Sequence, residues 1–498
     1  MTELTLVWVA LPFLLAFTTY LLPVLTRPSV IAMAVLTAVY AVQHGGLPGT
    51  TAVPLELRLL DHFGVTLRVD AQVAPMLLAH GLVTLVVALY LDRRFVGNRF
   101  VAMQLLIVHG SANAVVISAD LISVYVALEV LSVGVFLLLT YGRRAEHQPT
   151  VGERQLWVGL RYLFMSNVAM LFYLMGTVLV YVRTGSFAIS SLAAATPTAL
   201  ALITLGLLAK GAVFVAGLWL PLTYISADPV IVTVLSGFTT KAGAMALVRC
   251  GEASGVLAQW LPYLSAGSAV FGIAFALMSR TPQRLLAWSS VSQMGFVIAA
   301  PQWAGLYGLA HGLAKPLLFI GAAVTNRWRW PMLILGAASL AGVPGSLGYA
   351  AKALSLSALA PWHEWLLTVV TVGTTCVGIR VLLTPPPVTL KITHQAGWQD
   401  KVALAIWGGG LLWSGLPAAY STASLLKALL SLSLGILLGL RPAGANGWFW
   451  ERFPLKRSCS AEGSWRLDEG LEAVIGGLSV VLVLMLILFA GVNHVALP

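Results

Sequence analysis

The chain has 498 residues, 59% of them apolar and only 9% charged, with a mean hydropathy of +0.89. This excludes a soluble globular domain and describes a polytopic membrane protein. The net charge of +11 does not call for a nucleic-acid partner, because the basic residues occupy short loops between apolar runs, as the positive-inside rule requires.

Apolar runs begin at 5–25 and 29–42. No basic stretch and no small-residue cleavage site accompany the first run, so a first transmembrane helix is expected there, not a signal peptide. Residues 55–70, LELRLLDHFGVTLRVD, alternate in polarity around Gly64 and predict a small hairpin outside the membrane. Further runs follow at 74–91, 100–118, 121–141 and 157–182. Beyond the broken stretch described next come 256–278, 285–300, 304–324, 331–359, 365–383, 402–419, 424–440 and 471–492. This is an all-α chain of about 14–16 spanning segments, allowing for tilt and interrupted helices.

Residues 205–249 stand apart. An apolar helix, LGLLAKGAVFVAGLWLP, is expected to break at Pro221 and again near Asp228-Pro229, then to resume as VIVTVLSGFTTKAGAMALVR. Helix breaks at membrane depth are tolerated where protein or a water-filled cavity satisfies the freed backbone. A second interrupted stretch, LILGAASLAGVPGSLGYAAKALSL, carries Pro344, Gly345 and Gly348. Two such segments in corresponding halves point to inverted repeats with a site near the midplane. The expected organisation is N-terminal helices with the hairpin (1–98), a first five-helix repeat (99–251), a second (252–384), and C-terminal helices with a basic loop (385–498).

Each interrupted stretch holds charge. Lys210 and Lys241 lie well inside their runs, and Lys352 follows the second break. An intramembrane charge costs about 2.5–3.5 kcal/mol on insertion scales, so these positions are expected to line an ion path. Glu129, in DLISVYVALEVLSVGVFLLL, is the natural partner of Lys210; the plainer alternative is an acid satisfied by Ser132 or Tyr125. His311 and Lys315 lie four apart, on one helix face. Histidine can pass a proton between neighbours, and lysine, unlike arginine, can give one up when desolvated. A satisfied core histidine and a snorkelling lysine are the bland counterparts for His311 and Lys352. His80 and His109 read as core histidines, while Ser289, Ser290, Ser292 and Gln293 can host water or bond helix to helix. Cys250, Cys376 and Cys459 have no metal-ligand or disulfide spacing. No phosphate loop, zinc motif or nucleophile elbow is present, so neither metal nor cofactor is expected.

At these residues the chain resembles the antiporter-like subunits shared by respiratory complex I and the multisubunit Mrp cation/proton antiporters. The matching pieces are DLISVYVALEVLS with Glu129, LLAKGAVFVAGLWLP with Lys210, LSGFTTKAGAMALVR with Lys241, RLLAWSSVSQMGFV, LAHGLAKPLLF with His311 and Lys315, and SLAGVPGSLGYAAK with Lys352. They cover about residues 75–385, and RYLFMSNVAMLFYLMGTVLVY with the C-terminal helices looks most like the Mrp D-type subunit, particularly cyanobacterial versions. The resemblance implies fourteen core helices, two inverted five-helix bundles, and proton transfer along a central axis through the Glu–Lys pair, the bridging lysine and histidine, and the terminal lysine. It implies partner membrane subunits, protons and sodium or another monovalent cation as cargo, and a bacterial plasma membrane or cyanobacterial thylakoid as location. Cation/proton antiport is the leading reading; a proton-pumping subunit of a complex I-like dehydrogenase is the alternative, and neither puts redox chemistry in this chain. A scaffold with a vestigial path would lack the titratable groups. The chain departs from the family pattern at Leu222, at Ala227-Asp228 and in the short connection TNRWRW.

Arg93, Arg94 and Arg99, Arg143, Arg144 and Arg154, Arg280 and Arg284, Arg327 and Arg329, Lys391 and Lys401, and the basic loop 441–470 fall on alternate connections, which puts the N-terminus outside and these loops in the cytoplasm. A cysteine at His62→Cys is therefore expected to react with an impermeant thiol reagent added outside, and one at Arg144→Cys is not. The reverse labelling pattern would overturn this topology.

Overall fold

The computed structural model describes residues 2–45, 55–59, 65–94, 99–141, 149–279, 281–384, 398–412 and 416–440. The hairpin tip, Arg143, Arg144, Arg280, Lys391, Cys459, the basic loop 441–470 and the apolar run 471–492 lie outside the described residues. In chain order the helices are α1 (Thr2–Leu21), α2 (Thr26–Gly45), α3 (Ala74–Arg94), α4 (Arg99–Ile117), α5 (Leu121–Thr140), α6 (Pro149–Thr184), α7 (Pro197–Lys210), α8 (Trp219–Ser226), α9 (Pro229–Val234) and α10 (Thr240–Ala253). They continue as α11 (Gly255–Met278), α12 (Pro282–Ala299), α13 (Ala304–Ala323), α14 (Arg329–Ala341), α15 (Leu347–Ser357), α16 (Pro361–Leu383), α17 (Trp398–Ala403), α18 (Gly409–Leu411) and α19 (Thr422–Gly439). One antiparallel hairpin, β1 (Leu55–Leu59) with β2 (Val65–Val69), pairs Leu57 with Leu67 at its centre, as the alternation predicts.

Among the described residues, ten helical segments are long and apolar enough to cross a membrane, and two shorter apolar ones join them. The fourteen to sixteen segments expected from sequence exceed that number for physical reasons. Helix α12 is polar for a spanning helix, α14 and α15 are halves of one broken segment, and 471–492 lies outside the described residues. Two runs of five segments follow one another, α4 to α10 and α11 to α16, and the fourth segment of each is broken (α7/α8 and α14/α15). An odd number of crossings makes the second run start from the opposite face, which is what inverts it.

Helix α13 lies at the centre: all of its residues are buried, and it packs on α3, α9, α10, α12, α14 and α15. Helices α1, α6 and α19 carry large exposed apolar side chains, among them Phe17, Phe164 and Leu437. That is the outline expected where lipid, not water, covers the perimeter.

The breaks are built differently from the sequence expectation. The first falls at residues 211–214, not at Pro221. Helix α7 stops at Lys210, and Ala212 and Phe214 take left-handed backbone conformations with φ of 50° and 54°, which are uncommon for residues other than glycine. The freed groups are satisfied: the Phe214 amide donates to Ser268 Oγ (2.9 Å) and the Trp219 indole to the Ala209 carbonyl (2.8 Å). Pro221 sits in the first turn of α8, where its missing N–H leaves no gap in the ladder. Asp228, one of the departures from the family pattern, caps α9 by accepting from the Val230 amide (3.0 Å), and Pro229 opens that helix. A π-turn, Leu235–Thr239, joins α9 to α10. The second break is as expected at Gly342 and Gly345, whose φ of +85° and +92° suit glycine. Gly348, by contrast, lies within α15 and allows that helix to meet Ser339.

Gly243 lets the two lysine-bearing helices touch. A Cβ there would stand 2.5 Å from the Gly211 nitrogen and 2.6 Å from the Lys210 carbonyl carbon, both backbone atoms. Gly243→Ala is expected to destabilise the fold by about 1–3 kcal/mol, whereas Pro221→Ala changes stability by roughly 0.5 kcal/mol or less. Thermal unfolding of the purified variants checks both; equal melting temperatures would contradict the close approach.

Candidate ion path

Lys210 is the last residue of α7, so its side chain starts where four carbonyls have no helical partner. Its Nζ lies 3.2 Å from Glu129 Oε1 on α5 and donates to Leu128 O (3.3 Å), Ser166 Oγ (2.5 Å) and Ser132 Oγ. Ser166 Oγ donates in turn to Ser132 Oγ (3.0 Å). Asn167, with its amide oriented to satisfy both ends, donates to Glu129 Oε2 (3.1 Å). Ser132 therefore serves the lysine and not the carboxylate, contrary to the plainer sequence reading of Glu129. The Lys210 side chain is 6% exposed and that of Glu129 25%. The carboxylate is the member of the pair that can be reached from outside the core.

Lys241 is fully buried one residue into α10 and donates to the Ser236 carbonyl within the π-turn. A π-turn widens the helix and frees carbonyls from the i to i+4 ladder, so the distortion supplies the acceptor. Lys315, buried on α13, donates to Leu286 O (2.7 Å) and Ser289 Oγ on α12. Lys352 on α15 donates to Leu340 O (2.7 Å) in the last turn of α14 and lies over the Phe296 ring, 5.4 Å from its centroid. It is 5% exposed and so does not snorkel. Three of the four lysines thus bond only neutral oxygens, and Lys210 alone meets a carboxylate.

His311 occupies the middle. It is buried, neither ring nitrogen has a hydrogen-bond partner among the described residues, and it lies within electrostatic reach of Lys241, Lys315 and Lys352. No direct hydrogen bond joins these four groups to one another. The structure brings Glu129 and Lys210 into contact and gathers the other four around α13 without chaining them.

His80 and His109, which read from sequence as separate core histidines, share one network. Asn113 bridges them, taking His80 Nδ1 at 2.8 Å on one side and His109 Nε2 at 3.0 Å on the other. Thr84 and Thr37 complete the surroundings of His109 at 2.8 and 2.9 Å. Of the polar residues on α12, Ser292 bonds the Ala269 carbonyl of α11 (2.8 Å), and Gln293 bridges Tyr307 (2.6 Å) and Thr374 (3.2 Å). They tie helices together, one of the two roles open to them from sequence. Among the described residues no group of three or more His, Cys, Asp or Glu is placed to hold a metal. Sequence reasoning missed Ser166 and the carbonyl acceptors; a serine in an apolar helix has no signal of its own, and a carbonyl has none at all.

Comparison with known proteins agrees with this geometry. The family described as NADH:quinone oxidoreductase/Mrp antiporter, transmembrane, matches residues 118–331, a span that holds every path residue except Lys352. NADH-quinone oxidoreductase subunit N of Desulforudis audaxviator is 31% identical over 284 residues, which are 50% of this chain and 54% of that one. The chain thus spans about half the length of that relative. The D subunit of the Na(+)/H(+) antiporter of Alkalihalophilus pseudofirmus is 24% identical over 58% of this chain and 64% of its own. A chain of the Mrp complex from a Dietzia species has the same fold, with a TM-score of 0.66 at 21% identity over 90% of this chain and 97% of that one.

The Glu129–Lys210 contact makes a measurable stability statement. Glu129→Gln leaves a buried ammonium with neutral acceptors only and is expected to cost about 2–4 kcal/mol. Glu129→Gln combined with Lys210→Met is expected to recover most of that loss. A double-mutant cycle by thermal unfolding reads the coupling directly; a value under roughly 0.5 kcal/mol would mean the pair is not formed.

Proposed function

The chain belongs to the antiporter-like membrane subunits of the NADH:quinone oxidoreductase/Mrp superfamily, and from that premise we propose that it translocates protons along the series Glu129, Lys210, Lys241, His311, Lys315 and Lys352. The observation that carries this reading is the Glu129–Lys210 contact at a helix break, followed by three lysines bonded only to neutral oxygens. A neutral acceptor tolerates both an ammonium and an amine. Such a lysine can release a proton without leaving a buried counter-charge behind, whereas a lysine locked to a carboxylate cannot. A proton arriving at Glu129 weakens its hold on Lys210 and raises the electrostatic cost of the next charges along the row. His311 can accept and release on opposite ring nitrogens. Water between the side chains completes the transfer, since the groups around α13 do not touch.

The leading form of this function is a subunit of an Mrp-type cation/proton antiporter, with protons and sodium or another monovalent cation as cargo. The membrane is the bacterial plasma membrane or, in a cyanobacterium, the thylakoid. The similarity to a subunit N of NADH-quinone oxidoreductase supports a second form, a proton-pumping subunit of a complex I-like dehydrogenase. Purification of the native assembly separates them: soluble partner subunits with iron–sulfur cysteines favour the second, small membrane subunits alone the first. The working division of the chain is 1–98, 99–251, 252–384 and 385–498, with the two middle parts carrying the path.

Reconstituted vesicles holding the assembled complex test the path. Glu129→Gln and Lys210→Ala are each expected to lose most pH-gradient-coupled transport while still inserting. Lys241→Arg is expected to transport far worse than its retained charge suggests, because a guanidinium does not give up its proton. His311→Ala slows transport and leaves the melting temperature near that of the parent. Wild-type transport by Lys210→Ala or Lys241→Arg would refute the path.

A further inference from the structure

We propose that the cavity between α15, α16 and α19 is the outer mouth of the path and that Glu364 is the group exchanging protons with the water outside. The proposal rests on the path reading above and extends it past Lys352.

The cavity has a volume of about 150 Å³. Lys352 is part of its wall, and so are Glu364 on α16 and Lys427 on α19. Lys352 is buried, whereas the side chains of Glu364 and Lys427 are 26% and 46% exposed and form an ion pair. The cavity therefore joins the last buried lysine of the series to a carboxylate in contact with the surroundings. Hydroxyls of Thr368, Thr371, Ser424 and Ser431 share the wall. A space of this size with several hydroxyl partners is suitable for a short file of waters.

Its place in the fold fixes which side it serves. Helix α15 reaches the turn Pro301–Trp303, and the Pro301 carbonyl there accepts from Gln72 (2.5 Å), close after β2. The cavity thus lies at the hairpin end, which the loop charges put outside. Tyr349 on α15 donates to the Ala419 carbonyl (3.1 Å) and bonds Ser424 Oγ (3.0 Å), holding the start of α19 over the opening. Beyond that contact and α16, α19 is largely exposed along its apolar face.

The step is a single proton transfer. Lys352 as ammonium and Glu364 as carboxylate become an amine and a carboxylic acid, with the proton carried by the hydroxyls and water between them. The Glu364 O–H then passes the proton to outside water and the carboxylate returns. While Glu364 is neutral its attraction to the Lys427 ammonium is lost, so the bridge between α16 and α19 loosens and the mouth opens; release of the proton closes it. Uptake from outside is the same sequence reversed.

The test uses the assembled complex in vesicles with a pH-sensitive dye, in a Cys459→Ser background, with Lys210→Ala beside the new variants. Glu364→Gln is expected to slow transport roughly tenfold or more, and Glu364→Asp to restore much of it. Ser424→Cys is expected to be modified by an impermeant thiol reagent added outside, with loss of transport. Inactive Lys210→Ala with Glu364→Gln at the parent rate would overturn the mouth and leave the path intact. Both variants at the parent rate would overturn the path itself. Should Glu364→Gln fail to assemble, the Ser424→Cys variant decides: modification that blocks transport supports the mouth, and modification without effect, or none, overturns it.

Discussion

Hydrocarbon offers no partner to a polar group, so every ammonium placed at membrane depth must find its acceptors within the protein. An intact helix has none to spare, because each carbonyl already accepts from the amide four residues on. The structure resolves this by breaking helices where lysines stand. Lys210 ends α7 at a break, Lys241 takes a carbonyl of a π-turn, and Lys352 takes the Leu340 carbonyl at the end of α14. Lys315 reaches across to α12, where Leu286 and Ser289 accept it. The breaks and the charges are one feature, since each is unfavourable without the other.

The acceptors differ along the row, and that difference gives it a direction. Lys210 meets the carboxylate of Glu129, which pins it as an ion pair at one end. The remaining lysines meet carbonyl and hydroxyl oxygens, which bind an ammonium and tolerate an amine. Paired charges would be static and expensive to separate in a medium of low dielectric. A row of lysines with neutral acceptors is easier to discharge and recharge in turn. Placing α13 at the centre, buried along its whole length, sets His311 within reach of three of these lysines.

Close backbone approach holds the arrangement together. Gly243 against Gly211 brings the break in α7 onto α10, so the first two lysines are neighbours through the backbone and not through their side chains. The same economy explains Gly348, which lets α15 fold back onto Ser339 so that Lys352 can reach the α14 terminus. The perimeter helices contribute little to this; their large apolar side chains face outward, and their role is to seal the core from lipid.

The sequence by itself determined the membrane class, the outer hairpin, the second break at Gly342–Gly345, and all six titratable residues of the path. These were readable because hydropathy periods are long, and because a charge inside an apolar run is too costly to be accidental. It also determined the Glu129–Lys210 partnership, the one pairing for which composition offered a single acid. The tertiary structure decided the rest. The first break moved from Pro221 to residues 211–214, because a left-handed turn at Ala212 and Phe214 depends on Ser268 and Trp219 to satisfy its backbone, and contacts of that kind leave no local signal. The union of His80 and His109 through Asn113 and the cavity linking Lys352 to Glu364 and Lys427 were equally invisible. Each joins residues from separate helices, and only packing determines which faces of those helices meet.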